Sequence, residues 1–279
     1  MEIHSRFSAK RHNIENITTI KAASTENSTA SSQVEIITPD FTIWSLNRSR
    51  TVRIYLPPGY HQSQRHYPVI YMHDGQNLFD ASTSFSGEWR VDKTLNHLAN
   101  ETHFKAIVVG IDHGNNARVN ELSPWSHEDY GSAEGDDYLN FIADELRPKI
   151  NRHFRTLPER QNTCVIGSSM GGLMSHYAVH RRNDVFAKAG ILSPSYWFSQ
   201  EVFKFTSDCP ASHDTKLYFL MGMQESEAMV EGFQRMVHQI EHSTHPQHNL
   251  SVKTVADRGH SESFWADEFE SVIRWLFDL

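Results

Sequence analysis

The sequence predicts an α/β fold: a mostly parallel central sheet with helices on both faces, preceded by antiparallel strands. Two observations carry this expectation. Short apolar runs rich in β-branched residues alternate with segments of helical periodicity from Tyr67 to the C-terminus. The chain has 279 residues, 38% of them hydrophobic and none in an internal repeat, so it can bury one large core as a single domain.

Residues 1–33 are polar, with the stretch AASTENSTASSQ at their end, and bury too little apolar area to offset the entropy of ordering them. They are expected to form a mobile tail, with one α/β domain over 34–279. VEIITPDFTIWSL and RTVRIYLPPGY, punctuated by Pro-Asp and Pro-Pro-Gly, read as antiparallel strands. YPVIYMH, KAIVVGI, TCVIG, KAGILS, KLYFLM and LSVKTV read as strands buried on both faces. Between and after them, Val91/Leu95/Leu98, Leu139/Ile142/Leu146/Ile150, Val230/Phe233/Val237/Ile240 and Trp265/Phe269/Val272/Ile273/Leu276 keep helical spacing. Right-handed crossovers then place helices over both faces.

Charge narrows the partners. The formal net charge is −8 and no basic stretch opposes it, which argues against a nucleic-acid groove or an anionic membrane surface. Arg6, Lys10, Arg11, Glu15, Lys21 and Glu26 interrupt the first thirty residues, leaving no apolar core for a signal peptide, and no later run approaches a membrane span. The expectation is a soluble cytoplasmic protein with a small-molecule partner; oligomeric state has no sequence signal. The two cysteines, Cys164 in an apolar run and Cys209, are expected to be free thiols.

Chemistry concentrates in CVIGSSMGGLMSHYAV, residues 164–179. Gly167-Ser168-Ser169-Met170-Gly171 fits Gly-x-Ser-x-Gly only with Ser169 at the centre, because Ile166 and Met170 would flank Ser168. A tight strand-to-helix turn forces the central side chain into an exposed, strained position, and small residues on either side avoid clashes. The pentapeptide alone is weak. Its place directly after TCVIG and before a helix with Leu173 and Tyr177 on one side makes Ser169 a candidate nucleophile.

A serine hydroxyl needs a base to take its proton and an acid to orient the base. Glu225 follows the strand KLYFLM, and His260 lies between the last strand and the last helix, which gives the order Ser169, Glu225, His260. Glu227, two residues on, competes for the acid role, and Asp257 is a more distant candidate. His238, His242, His245 and His248 cluster in HQIEHSTHPQH but lack a carboxylate or thiolate pattern with metal-site spacing. No metal and no cofactor is expected. His176 and His180, behind the nucleophile, read as ordinary core or surface histidines.

HDGQNLFD (73–80), GEWRVDKTL (87–95), RVNELSPW (118–125), ELRPKINRHFRT (145–156), GSSMGGL (167–173) and LSPSYWF (192–198) together resemble the Putative esterase family of α/β-hydrolases. That family includes enterochelin (siderophore) esterases, feruloyl esterases, esterase D and mycolyltransferases, and the enterochelin-esterase-like branch is nearest in flavour. The resemblance covers roughly 34–279 and implies an α/β-hydrolase fold. It also implies an oxyanion hole from the amides of Met170 and Gln76, which would bind the oxygen that gains charge as the carbonyl becomes tetrahedral. It suggests that Trp197 lines the substrate pocket and that Arg118, beside Glu121, lies near its mouth, although Arg118 and Glu121 could equally form a structural ion pair. Residues 199–214 are the expected short cap. The function so implied is a serine carboxylic ester hydrolase. A siderophore trilactone esterase, thioesterase or transacylase on the same site, or a non-catalytic binding protein of the same fold, are the alternatives.

Overall fold

The computed structural model describes residues 17–22 and 27–279. Among the described residues, nine strands form one sheet: β1 (Thr18–Lys21), β2 (Val34–Ile43), β3 (Arg48–Tyr55), β4 (Val69–His73), β5 (Ile107–Ile111), β6 (Thr163–Ser168), β7 (Lys188–Leu192), β8 (Lys216–Gly222) and β9 (Leu250–Val255). Their spatial order is β1-β2-β3-β5-β4-β6-β7-β8-β9. The first three pair antiparallel with their neighbours, and β5, β4, β6, β7, β8 and β9 run parallel. This is the α/β-hydrolase arrangement.

The helices are α1 (Val91–Glu101), α2 (Arg118–Glu121), α3 (Gly135–Asn140), α4 (Arg147–His153), α5 (Met170–Arg181), α6 (Glu201–Asp208), α7 (Glu227–Glu241) and α8 (Glu262–Leu276), with a π-helical segment Phe141–Leu146 joining α3 to α4. Strand periodicity divides the core in two. Val69, Tyr71, Val109, Val165 and Phe219 point to the face covered by α5, α7 and the α3–α4 rod. Ile70, Met72, Val108, Ile166 and Leu220 point to the other face, under α1 and α8. Fully buried Phe233 on α7 and Phe269 on α8 each contribute about 2–3 kcal/mol.

Two expectations need correction. LSVKTV is not buried on both faces: β9 is the last strand of the sheet and alternates between partly buried and exposed residues. The boundary at residue 33 also shifts, because β1 is an edge strand paired with β2 from Thr18↔Thr38 to Lys21↔Glu35. Residues 28–31 are tied down as well. Ser28 Oγ (2.5 Å) and Thr29 N (3.1 Å) donate to Asp80, and Ser31 N donates to Asp92 (2.8 Å). Composition missed this because ladder and carboxylate hydrogen bonds, rather than apolar burial, hold these residues. The rest of the expected tail, 1–16 and 23–26, lies outside the described residues. Among the described residues, no helix is long and apolar enough to cross a membrane.

His176 and His180 belong to the core. Their rings stack with centroids 4.5 Å apart. His176 meets Thr206 Oγ1 (2.8 Å) and Tyr196 OH (2.9 Å), while His180 Nδ1 donates to the Cys209 carbonyl (2.8 Å). Burial pulls His180 down to about 4 against that hydrogen bond, holds His176 well below its usual range, and brings His73 to about 4 despite nearby Asp74. All three fold neutral, whereas an unfolded chain protonates histidine near 6.5. The stability they support is therefore complete above that pH and is lost as pH falls towards about 4, with His73 and His180 each accounting for on the order of 3 kcal/mol. Urea titrations across this window should show a steep fall in midpoint; a flat profile would contradict the neutral assignment.

Candidate active site

The parallel strands end on one edge of the sheet, and the chemistry-bearing residues gather there. β6 ends at Ser168 and α5 begins at Met170, leaving Ser169 between them with φ 58° and ψ −123°. A non-glycine residue held at positive φ is strained and persists only where its surroundings enforce it. The enforcement is visible: Ser169 N donates to Leu192 O (3.0 Å), and Ser169 O accepts from Ser195 N (3.1 Å). Two glycines let the turn close. A Cβ on Gly167 would lie 2.6 Å from the Gly171 backbone, and one on Gly172 would lie 2.7 Å from Leu192 O. Met170 supplies the first amide of α5, which has no acceptor within the helix.

Glu225 and His260 come together as the sequence order suggests. Glu225, buried just beyond β8, places Oε2 2.7 Å from His260 Nδ1. Its Oε1 accepts from Ser193 Oγ (2.5 Å) and Gly222 N (3.3 Å). Ser193 Oγ in turn accepts from Trp265 Nε1 (2.9 Å), and the Trp265 ring stands edge-on to His260 at 4.8 Å. Glu227 is exposed in the first turn of α7. Ser169 Oγ lies 3.3 Å from Ser195 Oγ, and Ser169 and His260 line one cleft of about 570 Å³.

Gln76 also lines this cleft, in the 3₁₀ turn Gly75–Asn77 that follows β4. His113 N donates to its Oε1 (3.0 Å) and Thr83 Oγ1 to its carbonyl (2.7 Å), which fixes the turn. Asp74, just before it, adopts a left-handed conformation and accepts two hydrogen bonds from Arg118: Nε (2.6 Å) and Nη2 (2.7 Å). Burial would raise the Asp74 carboxyl, but Arg118 overrides this and lowers it. Arg118 lines the cleft, yet its ion-pair partner is Asp74 rather than Glu121; Glu121 is buried under Arg48 and Arg50.

Trp197 and the expected cap lie elsewhere. Trp197 is 39% exposed and lines a separate hollow of about 330 Å³ with Phe203 and Arg235. The preceding Tyr196 turns inward to His176, so its neighbour faces out. No cleft-lining residue comes from 199–214. α6 buries Val202 and Phe203 instead, and is tied to α7 through Gln239 Nε2 donating to Phe203 O (2.7 Å). Phe85 and Ser86, and Asn115 and Asn116 beyond β5, also line the cleft. The loop carrying Phe85 is anchored at Asp80. Burial would raise that carboxyl, but hydrogen bonds from Ser28, Ser82 and Thr29 hold it down at about 2.

Sequence reasoning missed Ser193, Ser195 and Asp74, and read Trp265 only as helix core. A faint signal was present: two serines flank Pro194 directly after a strand.

The family model described as Putative esterase matches residues 43–276. The chain belongs to this family. A relative of this chain, Uncharacterized protein YbbA of Bacillus subtilis (strain 168), is 25% identical over 82% of this chain and 93% of its own length. Among solved structures, the BES protein from Bacillus cereus superposes with TM-score 0.71 at 19% identity, covering 88% of this chain and 95% of that one. An IroE-like serine hydrolase from Shewanella oneidensis superposes with TM-score 0.68 at 22% identity, covering 84% and 77%. These two likenesses concern the fold.

Proposed function

We propose that the protein is a serine carboxylic ester hydrolase that works through an acyl-enzyme on Ser169. The observation that carries this reading is the 2.7 Å contact between Glu225 and His260 Nδ1, in the cleft that also holds strained Ser169. With Nδ1–H donated to the carboxylate, Nε2 is free to take the Ser169 proton as Oγ attacks the ester carbonyl. The amides of Met170 and Gln76 receive the developing oxyanion. His260 then protonates the departing alkoxide, and a water activated by the same imidazole releases the acid. A thioester or an alternative acceptor would use the same acyl-enzyme. Cytoplasmic action on a small-molecule ester belongs to the proposal.

Cleft charge bears on the substrate. Among the described residues, Arg118 is the one lysine or arginine that lines it; Asp74 pairs with it, and Glu262 adds another carboxylate to the wall. A strongly anionic ferric complex gains little there. Phe85, Trp89 and Trp265 against Asn115, Asn116 and His113 suit a neutral ester with a flat apolar part and hydroxyl groups. The test is a panel of initial rates with Ser169→Ala as the blank: short and medium aryl esters, methyl ferulate, an acyl-CoA and a catecholate trilactone. A neutral ester should be turned over fastest. Preference for the trilactone would overturn the charge argument, and rates equal to the blank throughout would favour the binding-protein reading.

A further inference from the structure

The loop after β7 brings a second layer of control to the same site. Ser193 is fully buried and has φ 43°, a strained backbone position for a residue with a side chain. Its hydroxyl has a defined polarity. An indole N–H can only donate, so Ser193 Oγ accepts from Trp265 Nε1 at 2.9 Å. Its own proton is left for Glu225 Oε1, 2.5 Å away. Gly222 N also donates to that oxygen, while Oε2 faces His260. Both carboxylate oxygens are thereby assigned, and no exposed surface at Ser193 lets water replace its hydroxyl.

We propose that Ser193, locked by the indole of Trp265, is a positioning residue that fixes the rotation of the Glu225 carboxylate and so keeps the His260 proton on Nδ1. The proposal rests on the esterase reading for its catalytic consequence, but its geometric content concerns Glu225 and His260 alone. Trp265 acts twice: its N–H sets the Ser193 proton, and its ring packs edge-on against the imidazole. Without the Ser193 hydroxyl, the carboxylate keeps only the longer Gly222 contact on its Oε1 side and can rotate. The imidazole then samples the tautomer whose Nε2 carries a proton and cannot accept another.

Three variants test this: Ser193→Gly, which removes the hydroxyl and tolerates positive φ; Trp265→Phe, which keeps an aromatic ring and removes the N–H; and the double variant. Thermal denaturation checks that each folds. The ¹⁵N shifts of the His260 ring, assigned by comparison with His260→Gln, report which nitrogen holds the proton. Fluorophosphonate labelling reports Ser169 reactivity without a known substrate. Kinetics on the best panel ester separate kcat from KM.

Ser193→Gly should shift the ring towards the Nε2–H tautomer, slow labelling and lower kcat by roughly 10–50-fold, with KM changed by less than about twofold. Trp265→Phe should do the same more weakly, and the double variant should be no worse than Ser193→Gly, because the indole acts through the hydroxyl. An unchanged tautomer in folded Ser193→Gly would overturn the proposal, as would additive effects in the double variant. If the tautomer responds but wild-type protein never labels at Ser169, the positioning role stands and the esterase reading fails.

Discussion

Replacing Ser169 by alanine should lower ester hydrolysis by roughly 10⁴–10⁶-fold and abolish fluorophosphonate labelling, while Ser168→Ala should leave both within about fivefold of wild type. The two serines are adjacent and both line the cleft, so proximity to substrate does not distinguish them. Backbone geometry does. Ser168 is the last residue of β6, in register with Leu192 of β7, and shares the extended conformation of its strand. Ser169 sits in the strained turn at positive φ, with its hydroxyl 3.3 Å from Ser195 Oγ and the first amides of α5 immediately behind it. Alanine at position 169 keeps the Cβ and the strain, so stability should change little and the lost rate can be assigned to the hydroxyl. Mass mapping of the phosphonate adduct provides the check. Modification at Ser168, or full activity in Ser169→Ala, would remove the nucleophile from the mechanism.

Much of this architecture was legible because periodicity is a local property. The runs YPVIYMH and TCVIG are dominated by apolar residues that suit a buried strand, and α7 and α8 carry their buried faces at clear helical spacing. The Ser169, Glu225 and His260 candidates were legible because the fold fixes the strand after which each function appears. What escaped depends on side-chain direction and partner choice. Whether Arg118 pairs with Glu121, three residues along a helix, or with Asp74, 44 residues away, is decided by how the β4 turn meets α2. Trp197 looked like a pocket residue until Tyr196 turned inward and reversed its aspect. The apolar pattern that marked Trp265 as core was sound but concealed its N–H, which is bonded to Ser193. β1 escaped because an edge strand can be held by its ladder and by polar side-chain contacts, here Thr18 with Thr38 and Lys21 with Glu35, with little apolar burial.

Glu225→Gln should cost roughly 10³–10⁴-fold in kcat with a folded protein, whereas Glu227→Gln should change rates by less than about twofold. The size of the first effect follows from the donors around the carboxylate. Ser193 Oγ and Gly222 N both donate towards one oxygen, so the new carboxamide must keep its carbonyl there. Its NH₂ then occupies the position 2.7 Å from His260 Nδ1, where an acceptor stood before. Two donors cannot share that contact. The imidazole is forced to accept at Nδ1 and to carry its proton on Nε2, the atom that must be bare to take the Ser169 proton. The variant therefore sets the wrong tautomer as well as removing a charge, and the ¹⁵N shifts of His260 should show near-complete conversion. Glu227 is exposed on α7 and can at most interact with the helix N-terminus, worth a few tenths of a kcal/mol at a solvated surface. A large loss from Glu227→Gln with a mild one from Glu225→Gln would exchange their roles and break the link drawn here between Ser193, Glu225 and the base.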